Sequence, residues 1–365
     1  MNTTTFAECS SAIPQSEGTS ALSYDASKLA SIIQNRGSRF RLNLAECTLF
    51  QLLESYEQFK RKISPKYRNG NTQHQIKRLE EYLGMTIMPI DVCDDFYVEA
   101  FNFFSSVKNE KGKIIRPSTI KTYFSNITAT LSWASKHGAA IDPSYNIFKI
   151  PSYEQPKVAL SPCQIAHIYH FDLNNHENRQ NLIKTMKELK MYRYAFQLIE
   201  KVRDMFVLDC NLGQRYSDIS VFDRTNFDET GTVFSCTQQK TGGKAKVDLT
   251  KYAIDKDITF EILRKYDYKS PAYKIDNANV NKILHALCKT IGGEFLKPIA
   301  RDNKISGCIV RESKQMWQLV TSHVARRTFI TYWCNRDLSV VKIQKCSGHK
   351  DVKMLSNYCI DMGLQ

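Results

Sequence analysis

The stretch RPSTIKTYFSNITATLSWASKHG places apolar side chains at Ile120, Phe124, Ile127, Leu131 and Ala134, in steps of 4, 3, 4 and 3. That spacing winds a single stripe along an α-helix and is incompatible with a strand, whose faces alternate every second residue. A helix striped over so many turns has to bury its stripe, so this region requires neighbouring helices. Ser118 is the expected cap and Gly138 the expected stop. Two shorter patterns come before it. Thr48 with Gln51 three residues on forms a capping-box signature for a helix carrying Leu49, Leu52, Leu53, Tyr56 and Phe59. Thr72 with Gln75 starts a second, which carries Ile76, Leu79 and Leu83 and ends at Gly84. Residues 45–150 are therefore expected to form a helical domain.

The segment 151–161, PSYEQPKVALS, contains two prolines and reads as a linker. Residues 162–365 are again dominated by helical patterns: Ser161–His170, a long stretch to about Cys210, Ala278–Ile291, and several short helices after His323. One β segment interrupts them, where two strand-like runs flank Thr241-Gly242-Gly243 and glycine permits a tight hairpin. The fold class is mostly α (α+β), with a small antiparallel sheet. Residues 1–44 are polar and Ser/Thr-rich at first, and read as a flexible tail or a partial arm region.

Charge narrows the partner. The chain holds 51 Lys+Arg against 37 Asp+Glu, a formal net charge of +14. Residues 1–50 are balanced, whereas 158–365 carry 32 basic and 22 acidic groups. An excess of this kind favours a polyanion. Just before the striped helix, KNEKGKIIRP sets Lys108, Lys111, Lys113 and Arg116 against a single acid, Glu110. A basic loop entering a helix N-terminus suits a DNA phosphate; the alternative is a solvated loop. Thr119, Lys121 and Tyr123, near the start of that helix, are candidates for base readout. No apolar run reaches membrane-span length, and the opening MNTTTFAECSSAIPQ lacks the pattern of a secretory signal. Eleven cysteines without a C-x-x-C pair point to reduced thiols in an intracellular protein, not a disulfide framework or zinc ribbon. No Walker-type loop implies ATP use.

The C-terminal half holds an ordered set of residues suited to phosphate chemistry: Arg215 in NLGQRYSDI, Lys240 at the hairpin, His323 and Arg326 in HVARRTF, His349 in SGHKD, and Tyr358. Breaking a phosphodiester while keeping its energy for rejoining calls for a covalent intermediate, which a tyrosine oxygen can form. Tyr358 is the only tyrosine after SGH and is the candidate nucleophile. The transition state gathers negative charge on its non-bridging oxygens, and the permanently charged guanidiniums of Arg215 and Arg326 suit them. Asp218 could orient an arginine or His323, or simply support the helix start. Arg327, next to Arg326, should face elsewhere on the helix.

Together these residues resemble the tyrosine recombinase (phage-integrase) family. The match includes L-G-x-R-x-S-D around Arg215, H-x-x-R-x-T-F at His323 and Arg326, and S-G-H followed nine residues later by Tyr358. It is strong over 158–365 and softer over 45–150, and the motifs are similar to those of bacterial mobile-element integrases such as those of Bacteroides-like hosts. The resemblance implies a helical core-DNA-binding domain over 45–150 and a catalytic domain over 162–365, forming a C-shaped clamp on double-stranded DNA. It assigns the proton for the leaving 5′-oxygen to Lys240, with Lys244 as rival, an acid–base or phosphate-donor role to His323, and phosphate donation with tyrosine positioning to His349. It implies no metal and no cofactor. Free protein would be a monomer and the synaptic complex a homotetramer, with possible DNA-bending or directionality factors, in the cytoplasm and on the nucleoid of a bacterium. Two rivals share the motifs: a type IB topoisomerase-like relaxing enzyme, and a non-catalytic repressor descended from an integrase.

Overall fold

A computed structural model describes residues 47–108, 115–148, 157–192, 194–305 and 308–351, together with Ser27, Gly112 and Leu355; within 301–310 only the backbone is described. The expected tail over 1–44 (apart from Ser27), Lys111, Lys113 and Tyr358 lie outside the described residues, as do 151–156 of the expected linker. The chain divides into two compact units. One comprises Met1–Tyr153 and Lys304–Cys308, the other Glu154–Asn303 and Ile309–Gln365.

The first unit is built on four helices: α1 (Leu49–Ile63), α2 (Gly70–Leu83), α3 (Asp94–Ser106) and α4 (Pro117–Ser135). The Thr48 hydroxyl accepts from the Gln51 amide at 3.1 Å, and the Gln51 side chain accepts from the Thr48 amide at 2.9 Å, closing the capping box. Helix α2 ends on Gly84 at φ +63. Helix α4 packs against the other three, and its Ile120, Phe124, Ile127, Leu131 and Ala134 are all buried. Its boundaries differ from the sequence expectation. Pro117 starts the helix, its fixed φ suiting the first turn, so Ser118 lies inside and does not cap. Helix α3, DDFYVEAFNFFSS, carries its aromatic residues on one broad side, and Phe96, Tyr97, Phe103 and Phe104 are buried.

The second unit is organised around α7 (Phe196–Leu212), with twelve buried residues. Helices α5 (Pro162–Tyr169) and α6 (His176–Glu188) precede it, and the short α8 (Tyr216–Ile219) follows. The long helical stretch expected up to Cys210 is two helices, α6 and α7. Lys190 in the left-handed region at φ +52 lies in the break between them. Strands β1 (Val233–Thr237) and β2 (Lys244–Asp248) pair antiparallel, Thr237 opposite Lys244. Helices α9 (Leu249–Tyr252), α10 (Lys256–Lys265) and α11 (Asn277–Ile291) follow. A second pair, β3 (Pro298–Ile305) and β4 (Cys308–Gln315), corrects the expectation of a single β segment. Its residues PIARDNKI and CIVRESKQ are mostly polar, so no apolar alternation marks them. Helices α12 (Ser322–Cys334) and α13 (Val340–Ser347) complete the unit. Helix α12 packs on α7, α13 on α12, and β2 on α13.

Candidate active site

That chain of contacts gathers four segments of the second unit. Helix α7 ends at Gly213, φ +65, where a Cβ would stand 2.4 Å from a ring carbon of Phe329. Only glycine lets the end of α7 close on α12 and turn left-handed. The chain then passes through Gln214, fully buried, whose Nε2 donates to the carbonyls of Leu212 (2.5 Å) and Cys346 (3.0 Å). Arg215 follows, half-buried at the start of α8.

His323 and Arg326 lie three residues apart on one face of α12. The Arg326 side chain is fully buried, and its Nη1 donates to the Gly213 carbonyl at 3.1 Å. Helix α13 ends at Gly348, φ +66, which delivers His349 to the same place. Ser347 gives its one hydroxyl hydrogen to the Ile343 carbonyl (2.7 Å), so the 2.7 Å contact with His349 is made by the Nδ1–H of the imidazole. Arg326 Nη2 lies 3.1 Å from Nδ1 and 3.0 Å from Nε2 of that ring. With Nδ1 protonated, only Nε2 carries a lone pair in the ring plane, so Nε2 is the atom that accepts from Arg326 Nη2.

The loop 238–243 between β1 and β2 carries Lys240. It is longer than the three-residue turn expected, and it closes through Gln238 N–H to Gly243 O and Gly242 N–H to Gln238 O, both 2.8 Å. The Gln238 side chain is buried and accepts from Arg215 Nη1. Asp218 neither caps a helix nor reaches a histidine by a hydrogen bond; its carboxylate accepts the Gln239 amide at 3.0 Å, tying the α8 turn to the residue before Lys240. Lys240 is exposed, and its charge is felt at His323. Lys244 is exposed at the start of β2.

Burial and the charges of Arg327, Arg326, Arg215 and Lys240 push His323 down to about 4. More than a third of this residue remains open to solvent, so the cations are the durable cause. His349, buried beside Arg326 and Arg215, is pushed down to about 3. Behind them burial pushes the Asp209 carboxyl up to about 8, so it offsets the Arg326 charge less than an ordinary carboxylate would. The Cys236 thiol, pushed up to about 12 by burial and Asp218, stays protonated. The site at pH 7 thus combines fixed cations with neutral imidazoles, an arrangement that suits a tetrahedral anion. Arg327 bonds the Val158 carbonyl at 3.4 Å, away from Arg326's partners. Among the described residues no group of three His, Cys, Asp or Glu could hold a metal ion, and no helix is long and apolar enough to cross a membrane. The eight cysteines whose side chains are described are free thiols.

In the first unit, Lys108, Arg116, Thr119 and Lys121 are exposed. Tyr123 is not: it is 8% exposed and meets Phe104 edge-on, so its ring belongs to the core. Thr119 and Lys121 are about 200° apart around the helix and cannot share one groove face. A cleft instead joins Thr119, Thr122 and Asn126 of α4 to Arg61, Arg68 and Asn71. The two arginines lie outside the basic run before α4, in FKRKISPKYR, which is denser in basic residues.

No protein-family model matches the sequence, and no curated protein matches it. Solved structures do. The Tn1549 transposon integrase in complex with a circular intermediate DNA aligns over 87% of this chain and 96% of its own, with TM-score 0.59 and 14% identity. The chain has an integrase fold. The lambda integrase dimer bound to a COC' core site aligns over 87% and 97%, with TM-score 0.54 and 17% identity. The lambda integrase tetramer bound to a Holliday junction aligns over 87% and 79%, with TM-score 0.55 and 16% identity. Within this integrase fold, Arg215, Lys240, His323, Arg326 and His349 fall in one unit and around one site.

Proposed function

We propose that this chain is a site-specific DNA recombinase of the tyrosine type, acting in integration or excision of a mobile element. One observation carries the reading: five residues from four separate segments of an integrase fold converge on a single cationic site. In the proposed reaction the Tyr358 hydroxyl attacks the scissile phosphorus. A Tyr–O–P bond forms, and the bond from phosphorus to the 5′-oxygen breaks. The tyrosine proton goes to His323, neutral and available at pH 7, and the departing 5′-oxygen takes a proton from the Lys240 ammonium. Arg215 and Arg326 hold the non-bridging oxygens while negative charge builds on them. The product is a 3′-phosphotyrosine, which a 5′-hydroxyl from another strand reverses by the same groups. Leu355, three residues before Tyr358 in the sequence, is buried in the core of the same unit.

Lys108, Arg116, Thr119, Arg61 and Arg68 supply DNA contacts from the first unit, and four protomers act together through a Holliday junction. A nicked suicide substrate, a two-site recombination assay and a plasmid relaxation assay test the reading together. A covalent adduct with recombinant product supports it. An adduct with relaxation alone supports the topoisomerase, and binding with no adduct supports the repressor.

A further inference from the structure

Gln238 is 1% exposed and joins three parts of the site. Its Oε1 accepts from Arg215 Nη1 and from the Thr241 hydroxyl (3.0 Å), and its Nε2 donates to the Ser347 carbonyl at 2.6 Å. The orientation of the amide follows from its partners: a guanidinium can only donate and a carbonyl can only accept. Its own backbone closes the loop that carries Lys240. The fit around it is close. A Cβ at Gly348 would stand 2.5 Å from Gln238 Nε2, and one at Gly243 would stand 2.6 Å from the Gly348 carbonyl oxygen. One side chain therefore sets Arg215, the Lys240 loop and the turn before His349 relative to one another.

The residue type matters. A carboxylate of the same shape would neutralise Arg215 and have no hydrogen for the Ser347 carbonyl. An apolar residue would leave Arg215 free to take other rotamers and would bury an unpaired carbonyl. A neutral amide holds the guanidinium while leaving its charge for an anion. We infer that Gln238 is a positioning residue for strand cleavage, fixing Arg215 and the His349 turn in the geometry that receives the scissile phosphate before DNA binds. This rests on the reaction proposed above.

The test uses the full chain, with Gln238→Met and Gln238→Glu each made alone and with Arg215→Lys. Three quantities are read: the single-turnover rate of adduct formation on the nicked substrate, the DNA Kd, and, without DNA, solvent protection of the Arg215 guanidinium hydrogens by NMR. Each substitution is expected to slow adduct formation at least tenfold with Kd changed less than threefold. Gln238→Met should also remove the protection. In the Arg215→Lys background its cost should shrink, because the part of its effect that passes through Arg215 is already lost. If Gln238→Met fails to fold, Gln238→Glu, which keeps the shape and the acceptor, decides by its rate alone. Wild-type rates in the variants, or a loss undiminished in the Arg215→Lys background, would overturn the inference. A wild-type protein that protects Arg215 but forms no adduct would instead sink the reaction on which it rests.

Discussion

Arg326 Nη2 lies 3.0 Å from Nε2 and 3.1 Å from Nδ1 of His349, so a fully buried cation is packed against a neutral imidazole. The contact sets the guanidinium and the imidazole side by side. It also couples them electrically, because after burial the Arg326 charge is the largest cause of the depressed His349 pKa. Arg326→Met should raise the His349 pKa from about 3 and abolish adduct formation, while the Kd for DNA changes far less. Histidine-resolved NMR titration and the nicked-substrate assay check both effects.

The same depressed values set an acid limit on stability. With folded pKa values of about 4 and 3 for His323 and His349, and an unfolded value near 6.5, the unfolded chain binds more protons throughout that interval. Stability from these groups is complete above about pH 6.5 and falls as the pH drops toward the folded values. Between pH 6.5 and 5 the buried His349 alone should cost about 2 kcal/mol. Denaturant unfolding should show this slope, and His349→Gln should flatten it.

Lys240 and Lys244 separate by their leaving-group chemistry. Loss of one general acid typically costs about 10²–10⁴ in rate. Lys240→Ala should slow cleavage by that range without loss of binding, and Lys244→Ala by less than about tenfold. A substrate with sulfur in place of the 5′-bridging oxygen leaves as a thiolate without needing a proton, and should restore the Lys240→Ala rate.

Gly213→Ala tests the end of α7. A Cβ 2.4 Å from the Phe329 ring on a left-handed residue combines overpacking, about 1–3 kcal/mol, with backbone strain of about 1–2 kcal/mol. Thermal unfolding should register the sum. Cleavage should fall as well, because Arg215 follows two residues later.

In the first unit, Arg68→Ala and Arg116→Ala should each weaken DNA binding and lower the slope of log K against log salt by about 1. Tyr123→Phe should leave binding unchanged, since its ring is buried against Phe104.

Much of this arrangement is legible in the sequence, and the parts that are not have physical causes. The capping box at Thr48 and the stripe on α4 are local signals, and both define real helices. The motif residues are legible because chemistry restricts their types. The β3–β4 pair is not, because polar residues interrupt it and no apolar alternation marks its strands. Gln238 carries no sequence signal. Its importance arises from contacts to Arg215, 23 positions away, and Ser347, 109 away, that only folding creates. Tyr123 reads as groove-facing by its place in the helix, yet its ring is drawn into the core by burial of apolar area.

The most direct measurement of the central claim is peptide mapping of the adduct trapped on a nicked suicide substrate. The account predicts a nucleotide attached through phosphate to Tyr358, at the 3′ end of the cleaved strand, and no adduct from Tyr358→Phe. An adduct on another side chain, or one that persists in Tyr358→Phe, would contradict it.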